Sequence, residues 1–215
     1  MVAAVLDSRR KCDKQMNKSL FILIILLSVA AVPCEAQAPA VIGLESNVRY
    51  SRDQMIALFK NCAPYAALNT MLAIATTESS FHPYAISINS PQKVASELGL
   101  TTQVIELARQ PHSKQEAILW MRWFFQHRIS VSVGLLQINT DHAARFHLDP
   151  ERLFDPCTNV SVGAIILAEA YAVQRLANHN DPDTLLRALS LYNTGNAQSG
   201  FSNGYVDRIL KNARP

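Results

Sequence analysis

One carboxyl group stands out by its position. In the run Ala67-Leu68-Asn69-Thr70-Met71-Leu72-Ala73-Ile74-Ala75-Thr76-Thr77-Glu78-Ser79-Ser80, Leu68, Met71, Leu72 and Ala75 fall on one helical stripe. Glu78 extends that stripe, seven residues after Met71 and three after Ala75. A carboxyl at the end of an apolar face is partly desolvated, and desolvation penalises the anion, so its pKa rises. A carboxylic acid still protonated near neutral pH is what a general acid requires. The plainer alternative is a helix-end carboxylate that reaches water. Other chemistries find little support. His142 and His147 are five apart, which places them off one helical face, and the six histidines form no metal-ligand pattern. No Gly-rich phosphate loop follows a strand, and no nucleophile elbow is present. Neither a metal nor a cofactor is expected.

The elements that would position Glu78 read as helices. Ser51 and Gln54 have capping-box spacing and open a helix through about Lys60. Pro64 suits the first turn of the next, which runs to about Ser80. Pro91 starts a short helix stopped at Gly99, and Thr101 or Thr102 caps another that ends before Pro111. Ser113 and Glu116 form a second capping box ahead of a bulky amphipathic helix, whose Trp120, Trp123, Phe124 and Phe125 read as core. Asn139 or Thr140 begins a short helix to about His147. Asn159 caps a long apolar one, Asp181 or Asp183 opens another through Tyr192, and Tyr205 to Ala213 is the last. Val131–Val133 is the single strand expected. The fold class is therefore mainly α, or α+β, in a single domain over residues 51–215, preceded by an extended lead-in at 37–50.

The N-terminal segment reads as an address. Arg9, Arg10, Lys11, Lys14 and Lys18 precede an uncharged apolar run from Leu20 to Val32, followed by small residues around Ala36 and Ala38. These are the three parts of a secretory signal peptide, expected over residues 1–36. The apolar run is shorter than the roughly 18–20 residues of a spanning helix, so no membrane span is expected after cleavage. An uncleaved anchor, or a lipoprotein built on Cys34, are the alternatives. Removing 1–36 leaves Cys62 and Cys157, an even pair in an exported protein, and these are expected to be bonded. Closing so long a loop stabilises by roughly 4–5 kcal/mol on the chain-entropy view.

Composition narrows the class further. Hydrophobic residues make up 49% and charged residues 17%, so the chain can bury a core and is not disordered. The net charge of +3 is too small to argue for a nucleic-acid partner. Residues 1–36 carry five of the 20 Lys+Arg and three of the 17 Asp+Glu, so the remainder is nearly neutral.

Four blocks then occur in order: Glu78-Ser79; Gly134-Leu135-Leu136-Gln137-Ile138-Asn139; Leu191-Tyr192-Asn193-Thr194-Gly195; and Tyr205-Val206. Together they resemble the lysozyme-like soluble lytic transglycosylases, whose signature is a catalytic Glu-Ser, a Gly-Leu-Met-Gln-Ile block, an Ala-Tyr-Asn block and a late Tyr. The resemblance spans about Arg49 to Ile209. Val131 to Asn139, Asp155-Pro156-Cys157-Thr158-Asn159 and the Cys just before Pro64 look like the type IV secretion-associated branch. Leu136 stands where Met is usual and Leu191 where Ala is common. Both swaps are apolar.

The resemblance implies a lysozyme-like fold and a periplasmic enzyme of a Gram-negative bacterium acting on peptidoglycan glycan strands, with subunits of a type IV secretion machine as partners. It implies Glu78 as the catalytic acid/base. It further implies cleavage of the bond between N-acetylmuramic acid and N-acetylglucosamine with a 1,6-anhydro product. One carboxyl suffices because the nucleophile is the sugar's own C6 hydroxyl, whereas ordinary glycosidases use two. Asp141 and Asp149 are the nearest candidates for a second. Substrate contacts are implied for Ser79, Gly134, Leu135, Gln137, Asn139, Tyr192, Asn193 and Tyr205. Among these, Gly134 would admit the sugar close to the backbone, the amides would bond hydroxyls or N-acetyl groups, and the Tyr192 phenol would orient Glu78. Residue-type alternatives stand beside each role: a turn glycine, a helix cap at Asn139 or Ser79, and core packing for either tyrosine. The segment Ser90–His112 is longer than a minimal core needs. Two competing readings are a hydrolytic muramidase of the same fold and a non-catalytic glycan-binding assembly factor of the secretion machine.

Overall fold

Ser51 accepts from the Gln54 amide and Gln54 Oε1 accepts from the Ser51 amide, so the expected capping box opens helix α1, Arg52–Cys62. This and all that follows comes from a computed structural model that describes residues 48–89, 107–177 and 181–214. The expected signal peptide, the lead-in up to residue 47, and the helix at Pro91–Gly99 lie outside the described residues. So does the start of the helix expected at Thr101 or Thr102, and 107–110, where it should end, is not helical. All described residues belong to one compact unit, Leu44–Pro215.

Helix α2, Leu68–Ser79, carries Glu78 in its last turn. Pro64 does not begin it, because residues 63–67 form a turn in which the Ala66 amide bonds the Ala63 carbonyl. Met71, Leu72, Ala73, Ile74 and Ala75 are all buried. The small β-sheet was underestimated by sequence, which marked one strand. The structure has three antiparallel strands: β1, Ile86–Ile88; β2, Val131–Val133; and β3, Ile138–Asn139. The register pairs Ile86 with Val133 and Val133 with Ile138, which stacks three apolar side chains on the core face. The same register aligns Ser87, Ser132 and Asn139 on the opposite face. At the free edge of β1, the Gln110 amide bonds both the Ile86 N–H, at 2.7 Å, and its carbonyl, at 3.1 Å. That side chain stands in for a neighbouring strand.

Ser113 caps α3, Lys114–Gln126, by accepting from the Glu116 amide. Glu116 does not complete the box. Its carboxylate takes Arg109 Nη2 at 2.5 Å and the His112 amide at 2.7 Å, an ion pair being preferred to the reciprocal cap. Phe124 of this helix is buried and Trp120 and Trp123 pack against the core, while Phe125 stays exposed. Asn139 lies in β3 rather than at a helix start, and the short helix α4 is limited to His142–Arg145.

After the 3₁₀ turn Pro150–Phe154 comes the central helix α5, Pro156–Ala177. Its cap is Asp155, whose carboxylate accepts from the Thr158 amide and hydroxyl. Asn159, expected to cap it, sits inside the helix and is buried. The helix is long and apolar enough to cross a membrane by length and composition. Here it packs on α6, Thr184–Thr194, and on α1. Gly163 on α5 lets the helix approach the sheet, since a Cβ there would stand 2.4 Å from Leu136 Cδ1. The Cys62–Cys157 disulfide, as expected from the even pair, joins the end of α1 to the start of α5. The one-turn helix α7, Ser199–Ser202, leads to the last helix, α8, Tyr205–Asn212, which packs on α2.

Candidate active site

The helix that carries Glu78 ends abruptly. Ser80 adopts a left-handed conformation at φ 50° and its amide returns to the Ala75 and Thr76 carbonyls. Glu78 is thus fixed at the end of its helix, and burial raises its pKa to about 7. Two features oppose the rise. The Tyr205 hydroxyl donates to Glu78 Oε1 at 2.6 Å, and the Arg208 guanidinium lies nearby. Arg208 in turn sits over the Tyr205 ring at 5.9 Å from its centre. Glu78 is therefore a protonated acid at the edge of neutrality, with a donor in place for its anion.

Glu78 opens onto a cleft of about 740 Å³. One wall is the polar face of the sheet, with Ser87, Asn89, Ser132, Gln137 and Asn139. The other is the apolar flank of α5, with Ile166, Ala170 and Val173. Tyr192, Asn193 and Thr194 close one end. The other carboxylate on the cleft among the described residues, Glu169, is held by Arg145 Nη2 at 2.6 Å. Asp141 accepts from Ser130 Oγ and Asp149 caps the 3₁₀ turn, so neither candidate second acid lines the cleft among the described residues. Among those residues there is also no His/Cys/Asp/Glu cluster that could hold a metal. A separate depression of about 500 Å³, beside the disulfide, is lined by Phe146, Leu148, Arg152 and Asp155 and shares no residue with this cleft.

Of the residues for which substrate contacts were expected, Gln137, Asn139, Tyr192 and Asn193 line the cleft. Ser79, Gly134, Leu135 and Tyr205 do not, because all four lie behind its lining. Ser79 is buried and donates to the Leu135 carbonyl at 2.8 Å, which pins the Gly134–Gln137 turn to the Glu78 helix. Leu135 is fully buried core. Tyr205 is 1% exposed and touches Glu78 instead of solvent. The phenol on Glu78 is therefore Tyr205, whereas Tyr192 donates to the Leu136 carbonyl at 2.8 Å. Gly134 has φ 81°, and a Cβ there would lie 2.2 Å from Asn159 Nδ2. The glycine makes room for a buried amide. Gln137, at φ 47°, spends its amide inward: Nε2 donates to the Ala85 and Gly134 carbonyls and Oε1 accepts from Ser87.

Asn159 is the residue that sequence reasoning misplaced. It accepts from the Leu136 amide at 2.8 Å and donates to the carbonyls of Val133, at 2.9 Å, and Leu153, at 2.8 Å. The cleft-wall serines and Asn89 were not singled out either. The alternation Ile86-Ser87-Ile88-Asn89 has the period of two of a half-buried strand, but over too few residues to decide the reading.

The Glu78 acid, its tyrosine donor and the amide-lined cleft are set by segments spread from α2 to α8, and a transglycosylase SLT domain matches residues 55–213. The chain belongs to the transglycosylase SLT domain family. Its matched residues constitute a peptidoglycan lytic transglycosylase domain. Three relatives extend the comparison. The chain is 32% identical over 194 residues to "Protein virB1" of Agrobacterium fabrum, covering 90% of this chain and 69% of that one. It is 33% identical over 150 residues to "Protein virB1" of Rhizobium radiobacter, 70% of this chain and 56% of that one. It is 30% identical over 165 residues to "Type IV secretion system protein virB1" of Brucella abortus, 74% of this chain and 63% of that one. No solved structure matches the chain.

Proposed function

We propose that this protein cuts the β-1,4 bond between N-acetylmuramic acid and N-acetylglucosamine in peptidoglycan strands, leaving a 1,6-anhydro-muramoyl end. The protonated Glu78 gives its proton to the glycosidic oxygen, which departs as the C4 hydroxyl of N-acetylglucosamine. The resulting carboxylate takes the proton of the muramoyl C6 hydroxyl, and that oxygen closes on the anomeric carbon. Glu78 ends protonated, as it began, and no water is consumed. Tyr205 stabilises the carboxylate between the two transfers. The sheet and α5 hold the glycan strand, with Asn139, Tyr192 and Asn193 facing it.

The observation that carries this reading is Glu78, a carboxyl on the cleft with a pKa of about 7, while Glu169, the other carboxylate among the described lining residues, is paired with Arg145. The site of action in this proposal is the periplasm. Residues 1–36 act as the export signal, 37–50 as a lead-in and 51–215 as the enzyme. The Cys62–Cys157 disulfide supports an oxidising compartment. The relatives whose printed names place them in a type IV secretion system support a role in opening the wall for such a machine, with its subunits as partners. Mass spectrometry of digested sacculi tests the chemistry. Products lighter by one water than the reducing sugars are expected from the wild type and none from Glu78→Gln. Reducing-end products would replace the proposal with hydrolysis.

A further inference from the structure

Two of the amides at the cleft surface, Asn139 and Asn193, are not free to present either end. Asn139 Oδ1 accepts from the backbone amide of Asp141 at 2.9 Å. A backbone N–H can only donate, so the atom facing it is the oxygen and the N–H₂ is the end left for the cleft. Asn193 is oriented by a longer chain of the same logic. The Tyr205 amide donates to Asn203 Oδ1 at 2.9 Å, which identifies the oxygen of Asn203. Its other end, Nδ2, therefore donates to Asn193 at 3.0 Å, and the atom that receives it is Asn193 Oδ1. Asn193 is left with its N–H₂ for the cleft. Arg208 Nη1 donates to the Asn203 carbonyl at 3.2 Å and holds the same residue by its backbone.

We propose that Asn203 is a positioning residue that locks Asn193 with its N–H₂ toward the glycan, so that the cleft, with Asn139, offers donors and selects sugars bearing carbonyl acceptors, the acetamido groups of N-acetylated strands. The inference rests on the glycan-cleaving reading of the site. A de-N-acetylated sugar presents an ammonium in place of the carbonyl, and a donor then faces a donor. Asn203→Asp keeps an acceptor for the Tyr205 amide but loses the donor to Asn193. Asn193 then turns its N–H₂ to the new carboxylate and its oxygen to the cleft, and the polarity of the contact inverts.

The test measures binding on the full mature chain carrying Glu78→Gln, so that no cleavage intervenes. The probes are tetra-N-acetylchitotetraose and the fully de-N-acetylated tetramer. The parent is expected to prefer the acetylated probe by about tenfold, the weight of one well-placed hydrogen bond. Adding Asn203→Asp is expected to erase or reverse that preference, and Asn193→Ala to erase it and make Asn203→Asp silent. In the chain with Glu78 intact, Asn203→Asp raises KM on sacculi more than it lowers kcat. Should Asn203→Asp fail to fold, Asn193→Asp carries the test, since it places an acceptor in the cleft directly and must favour the de-N-acetylated probe. An unchanged preference in Asn203→Asp, or an equal effect of Asn203→Asp with Asn193→Ala present, overturns the inference. Binding without acetyl preference in the parent overturns it alone, whereas no glycan binding at all overturns the glycan reading with it.

Discussion

Tyr205 Oη and Glu78 Oε1 are 2.6 Å apart across 127 residues of sequence, and the last helix thereby supplies the hydrogen bond to the acid of the second. A bond to the carboxylate favours the charged form, so its removal raises the Glu78 pKa above about 7. Tyr205→Phe is expected to move the alkaline limb of the rate profile upward. It should also lower the rate about tenfold or more, because the anion formed mid-reaction loses its donor. A pH–rate profile of the variant against the wild type checks both effects.

Glu78→Gln should abolish wall lysis and stabilise the fold at alkaline pH. The sign follows from the raised pKa. Between the unfolded carboxyl value near 4.5 and the folded value of about 7, the native state holds the proton more tightly, so stability falls as pH rises through that window. Above it, the ionised Glu78 costs about 1–3 kcal/mol that glutamine does not. Thermal unfolding at pH 8 should show the variant as the more stable. The difference should vanish near pH 4, where both side chains are neutral.

Asn159→Leu should destabilise by about 3–5 kcal/mol. It strips one donor and two acceptors of the Leu136, Val133 and Leu153 backbone of their partner inside the core. Urea unfolding measures the cost. Activity should fall further than the folded fraction, because the Gly134–Gln137 turn is tied to Glu78 through Ser79.

Replacing Cys62 and Cys157 together by serine should cost about 3–5 kcal/mol, since the bond closes a separation of 95 residues. The same loss should appear when wild type is unfolded with reductant, and the paired variant should ignore the reductant.

The place of Glu78 on its helix was legible because it continues a helical stripe, and the caps at Ser51 and Ser113 were legible because capping is local. The strands escaped notice because three residues such as Ile86-Ser87-Ile88 give too short a period to read, and β3 has two. Asn159 was misread for a different reason. A polar residue near a helix start resembles a cap, and only the third dimension reveals that Gly134 has left space for it. The tyrosines show the same limit. The family resemblance places both in or near the site, but which phenol meets Glu78 depends on how α8 packs on α2, a contact between distant segments.

Arg49, ahead of helix α1, gives the segment at residues 48–50 a task at the site. Its Nη1 donates to the Ser79 carbonyl at 2.8 Å and the Ser80 carbonyl at 2.9 Å, while the Tyr50 amide bonds the Phe81 carbonyl at 2.9 Å. The last turn of α2 contains no basic residue of its own, so Arg49 is the cation that completes it. Without the Arg49 guanidinium, the carbonyls that end the Glu78 helix would lose a clasp that comes from 30 residues away in sequence. A residue outside all four motif blocks thus belongs to the scaffold that aims the acid.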